Sequence, residues 1–159
     1  MRPIELAFQS LQDSIGADLG VSEWVLVDQR MIDAFAAVTS DHQFIHVDPA
    51  RARAETPFGG TIAHGFLTLS LASRMAYDCI KEHPGQVMSV NYGLDKIRFL
   101  SPVHSGSRIR GRFTANGATR KSDTQLLQRF TLVIEIEGDE KPALMADWLS
   151  MVVFEKGEA

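Results

Sequence analysis

Apolar positions change their period twice along this 159-residue chain. Residues 24 to 27, Trp-Val-Leu-Val, form a short β-prone run, and Asp28 stands where an N-cap belongs. Met31, Phe35 and Val38 follow at helical spacing in RMIDAFAAVT, so the pattern predicts a strand leading into a short helix. Between Ser40 and Gly60 the period is lost. Pro49, Pro57, Gly59 and Gly60 punctuate a stretch of Asp, Gln and His that reads as a structured loop, irregular or in single helical turns. From Thr61 to about Lys81 there is no proline, and Ile62, Phe66, Leu67, Leu69, Leu71, Met75, Ala76 and Ile80 surround a helix on nearly every side. A helix apolar all round is one buried inside its domain.

After His83-Pro84-Gly85 the period becomes two. VMSVNYGLDKIRFL, SRIRGRFTANGA, TQLLQRFTLVIEIE and PALMADWLSMVVFE, set apart by turn residues such as Ser-Pro, Asn-Gly and Gly-Asp, predict four consecutive long strands. Arg108, Arg110 and Arg112 alternate with Ile109, Gly111 and Phe113, which puts the arginine row on a solvated face. The order of elements gives an α+β domain, an antiparallel sheet wrapped around one long central helix. A single sheet leaves open edges with unpaired backbone groups, and pairing of two copies into a continuous sheet is the simplest remedy.

Composition adds exclusions. With 45% hydrophobic and 23% charged residues, the chain is an ordinary globular one, of a length for a single domain over residues 1–159. A net charge of −4 without a lysine or arginine run argues against nucleic acid as a partner. No window approaches the roughly 18 apolar residues of a membrane span, and MRPIELAFQSLQDS lacks the apolar stretch of a signal peptide. A cytoplasmic protein with no membrane partner is expected. The lone cysteine, Cys79, sits in the apolar helical pattern and reads as a small buried hydrophobe.

The chemistry concentrates in TSDHQFIHVDPARARAETPFGGTIAHGF, Thr39 to Phe66, where His42, His46 and His64 stand beside Asp41 and Asp48. Three readings are open. His42 and His46 are four apart, a spacing that would place two metal ligands on one helical face, yet Gln43-Phe44-Ile45 does not suggest a steady helix and no third soft ligand lies nearby. Ordinary loop chemistry would use Asp41 as a turn cap and pack the histidines locally. An acid/base pair would use a carboxylate and an imidazole to hold a water and move its protons, beside helix-start N–H groups able to stabilise charge on a carbonyl oxygen.

Ser40-Asp41-His42-Gln43-Phe44-Ile45-His46-Val47-Asp48-Pro49, followed by Gly60-Thr61-Ile62-Ala63-His64-Gly65-Phe66-Leu67, resembles the MaoC-like, (R)-specific enoyl-CoA hydratase family, in particular its NodN-like branch. NYGLDKIRFLSPVHSGSRIRG looks like the family's long strand and Pro-Val turn, and the resemblance spans roughly residues 20 to 155. It implies the hot-dog fold, usually paired as a homodimer with a continuous sheet. It further implies that Asp41 and His46 activate a water for addition across the 2,3 double bond of a trans-2-enoyl thioester, carried by CoA or an acyl-carrier protein, or catalyse the reverse dehydration. Gly65 would donate its N–H to the thioester carbonyl, and Ser73, eight residues on, would support Asp41. The resemblance implies no metal and no cofactor. Gln43-Phe44 departs from the family's commoner Asn-Pro; Gln43 keeps an amide that could orient Asp41 or the water. For this chemistry Asp41 is expected to be buried with a raised pKa and His46 poised near its free value, with His64 fixing the helix start or the loop by a hydrogen bond. Phe66, Leu67 and Leu71 read as core rather than as an acyl tunnel. A hot-dog acyl-CoA thioesterase and a non-catalytic acyl-thioester binding module are the rival functions.

Overall fold

A computed structural model describes residues 1–156 of the chain. Its elements run α1 (Pro3–Asp13), β1 (Asp18–Val21), β2 (Val25–Val27), α2 (Gln29–Thr39), α3 (Phe44–Val47), α4 (Pro49–Glu55), α5 (Gly65–Ser70), α6 (Ala72–Cys79), β3 (Gln86–Phe99), β4 (Ser107–Arg120), β5 (Gln125–Ile136) and β6 (Leu144–Phe154). The four long strands and β1 form an antiparallel sheet in the order β1-β4-β5-β6-β3, with β2 also pairing with β4. This is the α+β arrangement expected from the change of period, and it is the hot-dog fold that the resemblance implies.

Local chemistry explains how the elements begin. The Asp28 carboxylate accepts the Met31 N–H at 2.9 Å and starts α2, as the sequence suggests. Asp48 does the same for α4, accepting the Arg51 N–H at 3.0 Å ahead of Pro49 at the first helical position. The segment read as a loop thus holds two short helices. On β5 the inward residues alternate strictly with half-exposed ones, so one face of the sheet supplies Phe130, Leu132, Ile134 and Ile136 to the core. Met75 of α6 is fully buried against β4. A Cβ on Gly111 would lie 3.1 Å from that of Met75 and 2.9 Å from the Phe113 ring, so the glycine lets the helix approach the strand.

Three expectations are corrected. The first concerns the N-terminus, where no helix was read: Pro3 opens α1, and Ile4, Ala7 and Leu11, spaced for one face, are buried with Leu126, Val152 and Phe154 in a satellite cluster. The second concerns the long helix, which begins at Gly65 rather than Thr61. The Ala63 N–H bonds to the Val103 carbonyl at 2.7 Å and Ile62 bridges to His104, so these residues are held extended. The helix then passes through Leu71 in helical conformation, α5 and α6 forming one unit with a break in its hydrogen bonding. The third is its burial, for Phe66 is 69% exposed and Tyr77 83%. On α2 the buried residues are Ile32 and Ala36, and Val38 faces outward.

The arginine row is on the outer face, as expected, and fully paired across strands: Arg108 with Glu137, Arg110 with Glu135 at 2.7 Å, and Arg112 with both Glu135 and Asp18. Burial pushes the Cys79 thiol above its ordinary range, the opposite of what a nucleophile needs. No helix among the described residues is long and apolar enough to cross a membrane.

Candidate active site

The loop from Ser40 to His64 is folded back on itself by a few bonds. Ser40 ends α2 in the left-handed conformation, φ 59°, which turns the chain away from the helix axis and sets Asp41 just beyond it. The Asp41 carboxylate accepts the Gln43 N–H at 3.4 Å, and its carbonyl accepts the His64 Nε2–H at 3.0 Å. The single turn of α3 then carries His46 inward to burial. There His46 Nδ1 lies 2.7 Å from the Ile62 carbonyl. A carbonyl only accepts, so Nδ1 carries the proton and Nε2 keeps its lone pair, the form in which an imidazole serves as a base.

The two buried histidines stack, ring centroids 3.8 Å apart and planes 24° from parallel, with Phe35 against His64 on another side at 4.9 Å. Burial pushes the His46 pKa below its ordinary value. The Ile62 bond opposes that, the neighbouring His64 adds to it, and Asp41 opposes it weakly. His46 is therefore more firmly neutral near pH 7 than expected. The other expectation fails too: the Asp41 side chain is 53% exposed rather than buried, with Oδ2 4.0 Å from His64 Nε2. One nitrogen or oxygen from each of Asp41, His46 and His64 falls within a 4.8 Å cluster, a gap that one water can bridge.

The same three groups are metal-ligand types. His46 Nδ1 and His64 Nε2 already bond to carbonyls, so a metal would have only His46 Nε2, His64 Nδ1 and the Asp41 carboxylate to bind. His42, the tempting partner of His46 in sequence, is exposed, and Asp48 is occupied in capping α4.

His46, Gly65, Thr68 and Phe99 line a cleft of about 240 Å³. Gly65 is the first residue of α5, and its N–H has no hydrogen-bond partner among the described residues. The Phe99 ring lies so close that a Cβ on Gly65 would come within 3.1 Å of it. The structure thus sets His46 between the two others: Asp41 lies within its cluster, and Gly65 shares its cleft, which Asp41 does not line. It does not bring Ser73 there, since Ser73 lines hollows shared with Asn91 and Trp148 farther along the helix. Gln43 touches the Asp41 carboxylate through its backbone N–H rather than its amide.

Sequence reasoning missed Gln29. Its amide nitrogen donates to the His46 carbonyl at 2.7 Å and to Asp33 at 2.8 Å, while its oxygen accepts the Thr61 hydroxyl. One side chain ties α2, the His46 turn and the segment before Gly65 together. Nothing in the linear pattern marks a glutamine in the first turn of a helix as such a tie. His64 was expected to fix the loop by a hydrogen bond, and does, but its stacking on His46 was not foreseen; its Nδ1 is buried without a partner among the described residues.

The pattern of the MaoC-like domain matches residues 10–135. The chain belongs to that family. It is 48% identical over 154 residues to Nodulation protein N of Rhizobium leguminosarum bv. viciae, covering 97% of this chain and 96% of that protein. It is 41% identical over 143 residues to 3-hydroxyacyl-thioester dehydratase Z of Mycobacterium tuberculosis, covering 88% and 93%. Among solved structures, this MaoC-like chain superposes with a TM-score of 0.79 on the monoamine oxidase regulatory protein of Archaeoglobus, at 26% identity over 94% of this chain and 95% of that one. For the (R)-hydratase of A. caviae involved in PHA biosynthesis the TM-score is 0.68, at 26% identity over 86% and 94%.

Proposed function

We propose that this MaoC-like protein catalyses (R)-specific hydration of trans-2-enoyl thioesters and the reverse dehydration of 3-hydroxyacyl thioesters, with Asp41 and His46 as the working pair. The observation that carries the reading is the buried His46, its Nδ1–H tied to the Ile62 carbonyl and one ring nitrogen gathered with Asp41 and His64 within 4.8 Å, on the wall of the cleft that Gly65 also lines. A relative named as a 3-hydroxyacyl-thioester dehydratase and a structural neighbour named as an (R)-hydratase support the same reaction class.

In the forward direction a water lies between the two side chains. As its oxygen bonds to C3, the pair takes the proton and the double-bond electrons move through C2 to the thioester oxygen. The Gly65 N–H stabilises the charge gathering there. The pair returns the proton to C2 on the same face, so one water is consumed and no redox change or cofactor is needed. His46, held neutral by burial, is ready to accept at once. The substrate's carrier is CoA or an acyl-carrier protein.

A second copy completes the surface beside the cleft. Among the described residues β3 is an edge strand of 14 residues bonded only to β6, and Val87, Met88, Val90, Tyr92 and Phe99 are exposed on it, Phe99 beside Phe66. A long apolar edge of this kind pairs with another strand. We take the occupant to be β3 of a second copy, giving a cytoplasmic homodimer. Light scattering at micromolar concentration tests this: a dimer mass is expected, and a monomer overturns it.

Asp41→Asn and His46→Gln are each expected to leave the circular dichroism spectrum unchanged and to lower the hydration rate of crotonyl-CoA, read as loss of enoyl thioester absorbance, by at least about a hundredfold. A fully active Asp41→Asn protein sinks the assignment. Release of free thiol from a saturated acyl-CoA, with no hydration of crotonyl-CoA, would make the protein a thioesterase. Binding without turnover would make it a carrier module.

A further inference from the structure

The sheet face turned toward α5 and α6 is apolar except for one band. Along β5 the inward residues are Leu126, Gln128, Phe130, Leu132, Ile134 and Ile136. Along β6, Ser150 falls between Trp148 and Val152. In register Gln128 stands opposite Ser150, and Ser150 opposite Asn91 of β3, so the exceptions align across three adjacent strands. Gln128 is 4% exposed and Ser150 7%. The band separates the main core, with Phe113, Leu132 and Met75, from the satellite cluster of α1.

Over it lies a cavity of about 220 Å³, roofed by Ser73, Ala76 and Tyr77. Buried polar groups normally find partners. Here the satisfaction is partial: Ser150 and Ser89 share a hydroxyl bond of 2.6 Å, and the Gln128 oxygen lies 3.3 Å from His83 Nε2. The Gln128 amide nitrogen has no partner among the described residues. Leucine would pack at such a site as well, whereas the glutamine leaves an accessible amide donor on the wall of the cavity. The lining side chains of the band are all neutral, and Lys81 and Glu82, which also border the cavity, are of opposite sign. That chemistry suits a neutral hydroxyl or carbonyl group rather than an ion.

The helix passes the cleft, an intermediate hollow and this cavity in turn. Gly65 and Thr68 line the cleft, Leu69 and Ala72 line an intermediate hollow with Leu94, and Ser73, Asn91 and Trp148 border both that hollow and the polar cavity. The eight residues from Gly65 to Ser73 span roughly 12 Å, the length of an extended acyl chain of about ten carbons.

We propose that the polar cavity receives the far end of the acyl group and selects thioesters whose chain carries a neutral hydroxyl or carbonyl about ten carbons from the thioester. This rests on the hydratase reading, and Ser73 then acts as part of the channel wall.

The test compares trans-2-decenoyl-CoA with its 10-hydroxy derivative as substrates, and decanoyl-CoA with 10-hydroxydecanoyl-CoA, which cannot be hydrated, as ligands in calorimetry. The hydroxylated member is expected to win by about tenfold or more in kcat/KM and in affinity, because the apolar tail leaves the band unpaired. In Gln128→Leu, and separately in Ser150→Val, that ratio is expected to fall to one or below. Equal values for the two tails in the wild type overturn the proposal. If crotonyl-CoA and both decenoyl thioesters remain unhydrated, the hydratase reading fails. The calorimetric ratio then decides the cavity alone: tenfold tighter binding of the hydroxylated ligand upholds it, and equal binding overturns it.

Discussion

Two polar regions of this protein are built on opposite principles. On the outer face of β4 and β5, Arg108, Arg110 and Arg112 meet Glu137, Glu135 and Asp18 in a continuous ladder, and Arg110 also lies over the Trp24 ring at 4.5 Å. Every charge there has a partner, and each pair is partly solvated. Around His46 the groups are fewer, the two imidazoles are buried, and pairing is incomplete: one His46 nitrogen bonds to a carbonyl while the other is left free. The ladder holds a surface together, whereas the cluster holds reactivity in reserve. A paired group has spent its capacity to bond, and an unpaired one in a cleft has kept it for a substrate.

Gln29 stands at the junction of these principles, a fully engaged side chain supporting an unengaged one. Gln29→Ala leaves the buried His46 carbonyl and the Thr61 hydroxyl without their partner, and is expected to cost about 1–3 kcal/mol in urea denaturation. It should also lower kcat for crotonyl-CoA by about tenfold or more, since the imidazole loses its backing. Unchanged stability and kcat would show that the tie is incidental. Gln29→Glu, which removes the donor but keeps the acceptor for Thr61, separates the two bonds.

A smaller effect follows from pH. His46 has a folded pKa below its unfolded value of about 6.5, so the unfolded chain binds the extra proton first as pH drops. The stability associated with neutral His46 is fully present above about 6.5 and is lost as pH falls through the depressed folded value. Urea midpoints measured between pH 7.5 and 5 should therefore decline less steeply in His46→Gln than in the wild type. Identical slopes would remove the burial argument.

The smallest effect belongs to the ladder. Glu135→Gln breaks two exposed or half-exposed pairs and is expected to cost less than about 1 kcal/mol, a loss that shrinks with added salt, and to leave hydration untouched. A change in kcat/KM for crotonyl-CoA would erase the distinction between the two regions.

The long elements were legible because their periods are long. Four strands and a central helix announce themselves over ten or more residues, and the Asp28 cap is local chemistry. α1 is less legible although Ile4, Ala7 and Leu11 carry its pattern, for three apolar positions at a terminus have no flanking strand or turn signal to set them off. The helix start was misplaced by four residues because Ile62 and Ala63 are held extended by Val103 and His104, forty residues away in sequence and invisible to a local window. Asp41, His46 and Gly65 rest on the motif resemblance; the fold sets His46 near Asp41 and in one cleft with Gly65. Gln29 and the stacking of His64 on His46 depend on side chains crossing between segments, which no spacing rule encodes.

The polar band beneath α6 also sets how the molecule fluctuates. Because it parts the apolar interior into two clusters, α1 with Leu126, Val152 and Phe154 forms a unit that can open without disturbing the packing around Met75 and Phe113. Amide protons of α1 are expected to exchange through this partial opening, while those of β4 near Phe113 wait for global unfolding. The end of the protein that would perform chemistry is thereby insulated from breathing at its first helix.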